Sequence, residues 1–149
     1  MPRPMRLFIA CCLALLAACS GLPKPPAPVN PVRFLSINDV YVADTLPDGN
    51  GGMARLATLK QRIQREGPVL FVLAGDFLSP SLLSRWYNGR QMVEALNAAG
   101  LDYATFGNHE FDLPKDELLL RLSEMKFRMI STNCVQADGS PFPGVLPWD

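Results

Sequence analysis

"VLFVLAGD", residues 69–76, is an apolar run that stops at a glycine and an aspartate. No polar residue alternates within Val69–Ala74, so the run reads as a strand buried on both faces, the kind found in parallel sheets. Upstream, "MARLATLKQRIQRE" (53–66) places Met53, Leu56, Leu59 (or Lys60) and Ile63 at helical spacing, and Gly67-Pro68 stops it. "RFLSIN" (33–38) is a shorter strand that ends at Asp39. Downstream, Ser79-Pro80 reads as a helix cap with proline in the first helical position. "RQMVEALNAAG" (90–100) is a helix with Gly100 beyond its end. "YATF" (103–106) is a third strand and runs into Gly107-Asn108-His109. Pro114 opens a helix through Met125, and "FRMIS" (127–131) is a fourth strand ending near Asn133.

The order β-α-β-α-β-α-β predicts an α/β fold with a mostly parallel sheet, because parallel neighbours need crossover connections. Parallel strands bring their carboxyl ends to one edge, and open α/β sheets bind ligands just outside it. The successive strands end in Asp39, Asp76, Asn108-His109 and Asn133. Groups far apart in the chain therefore converge on one rim. Carboxylate, amide oxygen and imidazole together suit a divalent ion of the Mn, Fe or Zn type. Two such ions, ~3.5–4 Å apart, clamp a phosphoryl group in the enzymes that use them.

The chain has 149 residues, with 14 basic and 14 acidic side chains and no formal net charge. That balance offers no footprint for nucleic acid. Residues 1–18 read as an export signal: Arg3 and Arg6, then an uncharged run from Leu7 to Ala18, too short for a mature membrane span. "LAAC", Leu16–Cys19, resembles the lipobox of bacterial lipoproteins, in which the cysteine is lipidated and several acyl chains anchor the protein to the membrane. Ser20 at the next position implies onward transport to the outer membrane, facing the periplasm. Residues 19–32 then form a lipidated cysteine and a spacer, whose stretch 22–32 holds five prolines and favours extended geometry. With Cys11 and Cys12 discarded and Cys19 modified, Cys134 alone remains; it reads as a small buried apolar residue, and no disulfide is expected. The folded part is expected over 33–149.

"INDVY" (37–41), "GGMARLATL" (51–59), "AGDFLSPS" (74–81) and "FGNHEFD" (106–112) resemble, in this order, the motifs of the bacterial 5′-nucleotidase family within the calcineurin-like metallophosphatases. The resemblance covers about residues 33–135. It implies a calcineurin-like metallophosphatase sandwich, of which these elements make an incomplete half. It also implies two divalent ions, among Mn, Zn, Fe and Mg, and a small phosphate-ester substrate: a nucleotide, a cyclic nucleotide or another ester. By that resemblance Asp39 is a ligand of one metal, Asp76 bridges the two, and Asn108 is a ligand of the second. His109, the only histidine, stabilises the transition state or assists the leaving group, and Asp112 orients it. Glu110 stands no closer than behind the ligands, and Ser81 tunes its turn.

The sequence departs from the family at two places. The first motif ends in Tyr41 where the family has histidine; either the first metal is held differently, or Tyr41 only packs near it, the second being favoured. Later histidine ligands, including a G-H-x-H motif, are missing, as is a C-terminal substrate domain. The expectation is therefore the N-terminal part of a larger metal-dependent phosphoric ester hydrolase that needs further strands or a domain. The alternative is a non-catalytic outer-membrane lipoprotein that keeps the fold as a binding or structural module.

Overall fold

The computed structural model describes residues 31–149. The expected export signal, Cys19 and most of the spacer lie outside the described residues. Five strands, β1 (Arg33–Ile37), β2 (Val69–Leu73), β3 (Tyr103–Ala104), β4 (Arg128–Ile130) and β5 (Val145–Leu146), form one sheet in sequence order, every pair parallel. Four helices connect them: α1 (Met53–Gln64), α2 (Leu82–Tyr87), α3 (Arg90–Ala99) and α4 (Lys115–Glu124).

The register explains where the core sits. Ile37, Leu73, Ala104, Met129 and Val145 are neighbours in one row across all five strands. They face a layer built from Met53 of α1, Met92, Val93 and Leu96 of α3, and Leu118 and Leu122 of α4. In α3 the buried positions Met92, Val93, Leu96 and Ala99 follow the 3.6-residue repeat. The next row in register points the other way: Ser36, Val72, Tyr103 and Arg128. On that face Phe34 is 71 % exposed and Leu146 36 %, and no described helix covers it. The run 69–73 was expected to be buried on both sides; Phe71 and Leu73 are buried, whereas Leu70 and Val72 are half-buried.

Three local expectations change. Ser79-Pro80 does not start a helix. Ser81 is the cap of α2, extended in backbone, with its hydroxyl accepting the Ser84 N–H at 3.0 Å. On α1 the buried partner is Lys60, not Leu59. Lys60 is 7 % exposed while Leu59 is 40 % exposed. The stem of Lys60 puts its ammonium 5.6 Å over the Phe71 ring and 3.6 Å from Asp102, where it donates to the Gly100 carbonyl at the end of α3. Carbonyls at a helix end lack intrahelical partners and carry partial negative charge, which draws the cation in. Finally, β5 has no counterpart among the strands expected from sequence: two residues among prolines and glycine show no periodicity, and only the free edge of β4 recruits them. Among the described residues no helix is long and apolar enough to cross a membrane.

Candidate active site

The turns after β1 and β2 are stitched together by backbone. Asp39 N–H donates to the Gly75 carbonyl at 3.2 Å, and Val40 N–H to the Asp76 carbonyl at 2.9 Å. Both aspartates sit in the left-handed region, Asp39 at φ 53° and Asp76 at φ 61°. Each such residue costs on the order of 1 kcal/mol and persists only where its surroundings over-determine it, most often at functional sites. The two parallel strands thus end in matching strained turns that present a carboxylate each.

The turn after β3 closes onto the same place. A Cβ on Gly75 would lie 2.4 Å from the Gly107 nitrogen, and one on Gly107 would lie 2.1 Å from Asp76 Oδ1. Only two glycines allow the backbones to approach this closely. The His109 N–H then donates to Asp76 Oδ1 at 2.8 Å. Glu110 fastens the pair from behind. It is fully buried, and its carboxylate accepts from the backbone N–H groups of Asp76 (2.9 Å), Phe77 (2.7 Å), Leu78 (3.2 Å) and Gly107 (2.6 Å). A buried carboxylate is tolerated because four donors replace its water.

His109 opens a short 3-10 turn, His109–Asp112, that sets its ring over Asp112. Nδ1 of His109 lies 2.7 Å from Asp112 Oδ2. That hydrogen bond, helped by the negative charges of Asp112, Asp76 and Glu110, raises the imidazole pKa above its ordinary value. The same bond, then the Ser79 hydroxyl, holds the Asp112 carboxyl below the usual range. Tyr41 meets the His109 ring edge to face at 5.9 Å, and its hydroxyl donates to Asp39 Oδ1 at 2.9 Å. Lost hydration and the Asp39 carboxylate push that phenol up to about 12. The Asn38 amide, and then Tyr41, keep the Asp39 carboxyl below its ordinary value.

Of the residues read from sequence, Asp39, Asp76, His109, Asp112 and Tyr41 are linked by these contacts, and Asn108 lies in the same turn, exposed, between Gly107 and His109. Cys134 is half-buried against the core, apart from this network. Sequence reasoning gave Asn38 no role and read Ser79 only as a helix cap, because nothing in their spacing says which side chain they serve. It also placed Glu110 behind the ligands without seeing that it joins two turns. Carboxylate and amide oxygens, the donors that Asp39, Asp76 and Asn108 carry, are hard ligands of the kind that suit a divalent cation. Among the described residues no group of three or more His, Cys, Asp and Glu side chains is spaced to hold an ion.

The sequence pattern of the calcineurin-like phosphoesterase family matches residues 32–142. The chain is 35 % identical over 133 residues to the 5′-nucleotidase of Mus musculus, covering 80 % of this chain and 23 % of that protein. It is 30 % identical over 156 residues to the "Probable 5′-nucleotidase" of Treponema pallidum, covering 95 % of this chain and 26 % of the relative. Among solved structures, the NAD nucleotidase of Haemophilus influenzae superposes with a TM-score of 0.65 at 27 % identity, over 78 % of this chain and 23 % of that one. The chain spans about a quarter of the length of these relatives.

Proposed function

Since the chain belongs to the calcineurin-like phosphoesterase family, we propose that it forms part of a divalent-metal-dependent phosphoric ester hydrolase of the 5′-nucleotidase kind. The observation that carries this reading is the meeting of Asp39 and Asp76, both left-handed, with the amide and ring of His109. Asp39, Asp76 and Asn108 would hold the cations, two in number, as the family resemblance implies. A divalent cation there supplies Lewis-acid polarisation of the phosphoryl oxygens.

The chain's own chemistry lies at His109. Asp112 occupies Nδ1, which leaves Nε2 as the ring atom free to meet substrate, and the Asp112 hydrogen bond, by raising the imidazole pKa above its ordinary value, favours the ring that carries a proton to give. Water adds to phosphorus, the bond from phosphorus to the alcohol oxygen breaks, and the Nε2 proton neutralises the charge that builds on the leaving oxygen. Tyr41, protonated with its pKa near 12, is no anionic ligand at neutral pH; it positions the Asp39 carboxylate. The substrate is a small phosphate ester, a nucleotide among the candidates, and further strands or a domain of a longer protein would complete the site. Mn²⁺-dependent hydrolysis of an aryl phosphate by the full-length gene product tests the reading. His109→Ala should lower kcat by about 10²–10⁴-fold, and an unchanged rate would remove His109 from the chemistry.

A non-catalytic binding module is the second reading, favoured by Tyr41 standing in the motif position where the resemblance expects histidine, with its hydroxyl bonded to Asp39. Failure of the full-length product to hydrolyse any ester while still binding Mn²⁺ would select it. In either case we propose attachment to the outer membrane through Cys19, facing the periplasm, on the strength of the Leu16–Cys19 motif. Incorporation of labelled palmitate, lost in Cys19→Ala, is the expected result; labelling that survives the substitution rejects it.

A further inference from the structure

Helix α2 exposes the residues that most helices bury. Its buried side chain is Ser84, whose hydroxyl lies 2.7 Å from that of Ser81 and accepts from the Gln91 amide at 3.0 Å. Its large apolar residues face solvent instead. Leu82 and Trp86 are 73 % and 77 % exposed, and Leu83 and Tyr87 stand open beside them. Leu82 and Trp86 are four residues apart, as are Leu83 and Tyr87, so the four side chains share one face. Arg121 holds the far end of α2 by donating to the Tyr87 carbonyl at 3.2 Å. Polar contacts thus fix α2 to α3 and α4, and its apolar face is left over. Single exposed leucines are ordinary, whereas a contiguous patch marks a surface that something else covers.

We infer that this face of α2 docks on the surface of a lipid bilayer. The inference rests on the reading of Cys19 as a lipid anchor. A lipid there holds the domain within about 50 Å of the membrane, the full reach of the chain from Cys19 to Arg33, so that even weak docking is populated. The residue types fit the same partner. Tryptophan and tyrosine combine an apolar body with a polar tip and settle at the headgroup boundary, while leucine reaches the acyl chains. The helix carries no acidic residue. Its one cation, Arg85, is exposed and has no salt bridge among the described residues, which leaves it open to a lipid phosphate. Docked on this face, the domain takes one orientation on the bilayer.

The two tryptophans of the chain make the test specific. Trp148 is as exposed as Trp86 and serves as the internal control. The full chain, carrying Cys19→Ala so that no acyl group is attached there, is mixed with vesicles of phosphatidylethanolamine and phosphatidylglycerol brominated on their acyl chains. With Trp148→Phe, the emission of Trp86 should move to the blue and be quenched. With Trp86→Phe, the emission of Trp148 should stay unquenched. Leu82→Ser together with Leu83→Ser, both at exposed positions, should remove most of the Trp86 quenching, and Arg85→Glu should reduce it. An unquenched Trp86, or two tryptophans quenched alike, overturns the inference. Trp86 emission that is already blue before vesicles are added also overturns it, because protein then covers the face. Palmitate labelling, read on the chain with Cys19 intact, separates the two readings. Quenching without labelling rejects the anchor and leaves the docking face; labelling without quenching rejects the docking face and leaves the anchor.

Discussion

At the scale of the residue, Glu110 shows how a motif can be visible while its job is not. The sequence places it beside His109, yet its side chain turns away from the rim and collects four backbone N–H groups from two different turns. Removing the carboxylate leaves those donors buried without partners, and each costs about 1–3 kcal/mol. Glu110→Gln brings an amide NH₂ toward the same donors, so it fails as well. We expect Glu110→Gln to lower unfolding free energy by about 3–5 kcal/mol in denaturant titrations. A loss under about 1 kcal/mol would mean that the two turns hold without the clamp. Asp39, Asp76 and His109 were readable because each stands just beyond a strand; Ser79 was not, because its partner Asp112 is far along the chain.

At the scale of the element, the buried face of α3 follows the helical repeat, whereas helix spacing left α1 undecided between Leu59 and Lys60. Hydropathy favours leucine; the structure buries the lysine. The deciding partners are Phe71 of β2 and, in the turn between α3 and β3, the Gly100 carbonyl and Asp102. Lys60→Ala should therefore cost about 1–3 kcal/mol, from lost packing and an unpaired carbonyl. Leu59→Ala should stay within about 0.5 kcal/mol, as exposed positions do. Thermal melts of the two variants check this, and equal losses would contradict the burial of Lys60 beneath α1.

At the scale of the whole molecule, the sheet carries helices on one face, while Phe34 on the other is 71 % exposed and Leu146 partly so. Apolar side chains left in solvent on a sheet face are open to a hydrophobic dye. The chain by itself should bind a hydrophobic dye such as ANS, and Phe34→Ser should reduce that binding. Dye binding unaffected by Phe34→Ser would place the exposed apolar surface elsewhere.

The sequence by itself determined the strand and helix order, the parallel sheet and the rim on which the acidic and imidazole groups stand. Hydrophobic period and strand-end turns are local signals, and the sheet's polarity comes from them. Only the tertiary structure decided that Glu110 clamps two turns, that Lys60 replaces Leu59 in the core, that β5 joins the edge and that Tyr41 rests on Asp39. Each of these joins or compares groups that fold together through space, and a hydrogen bond or a packed ring depends on distances that residue spacing along the chain does not encode.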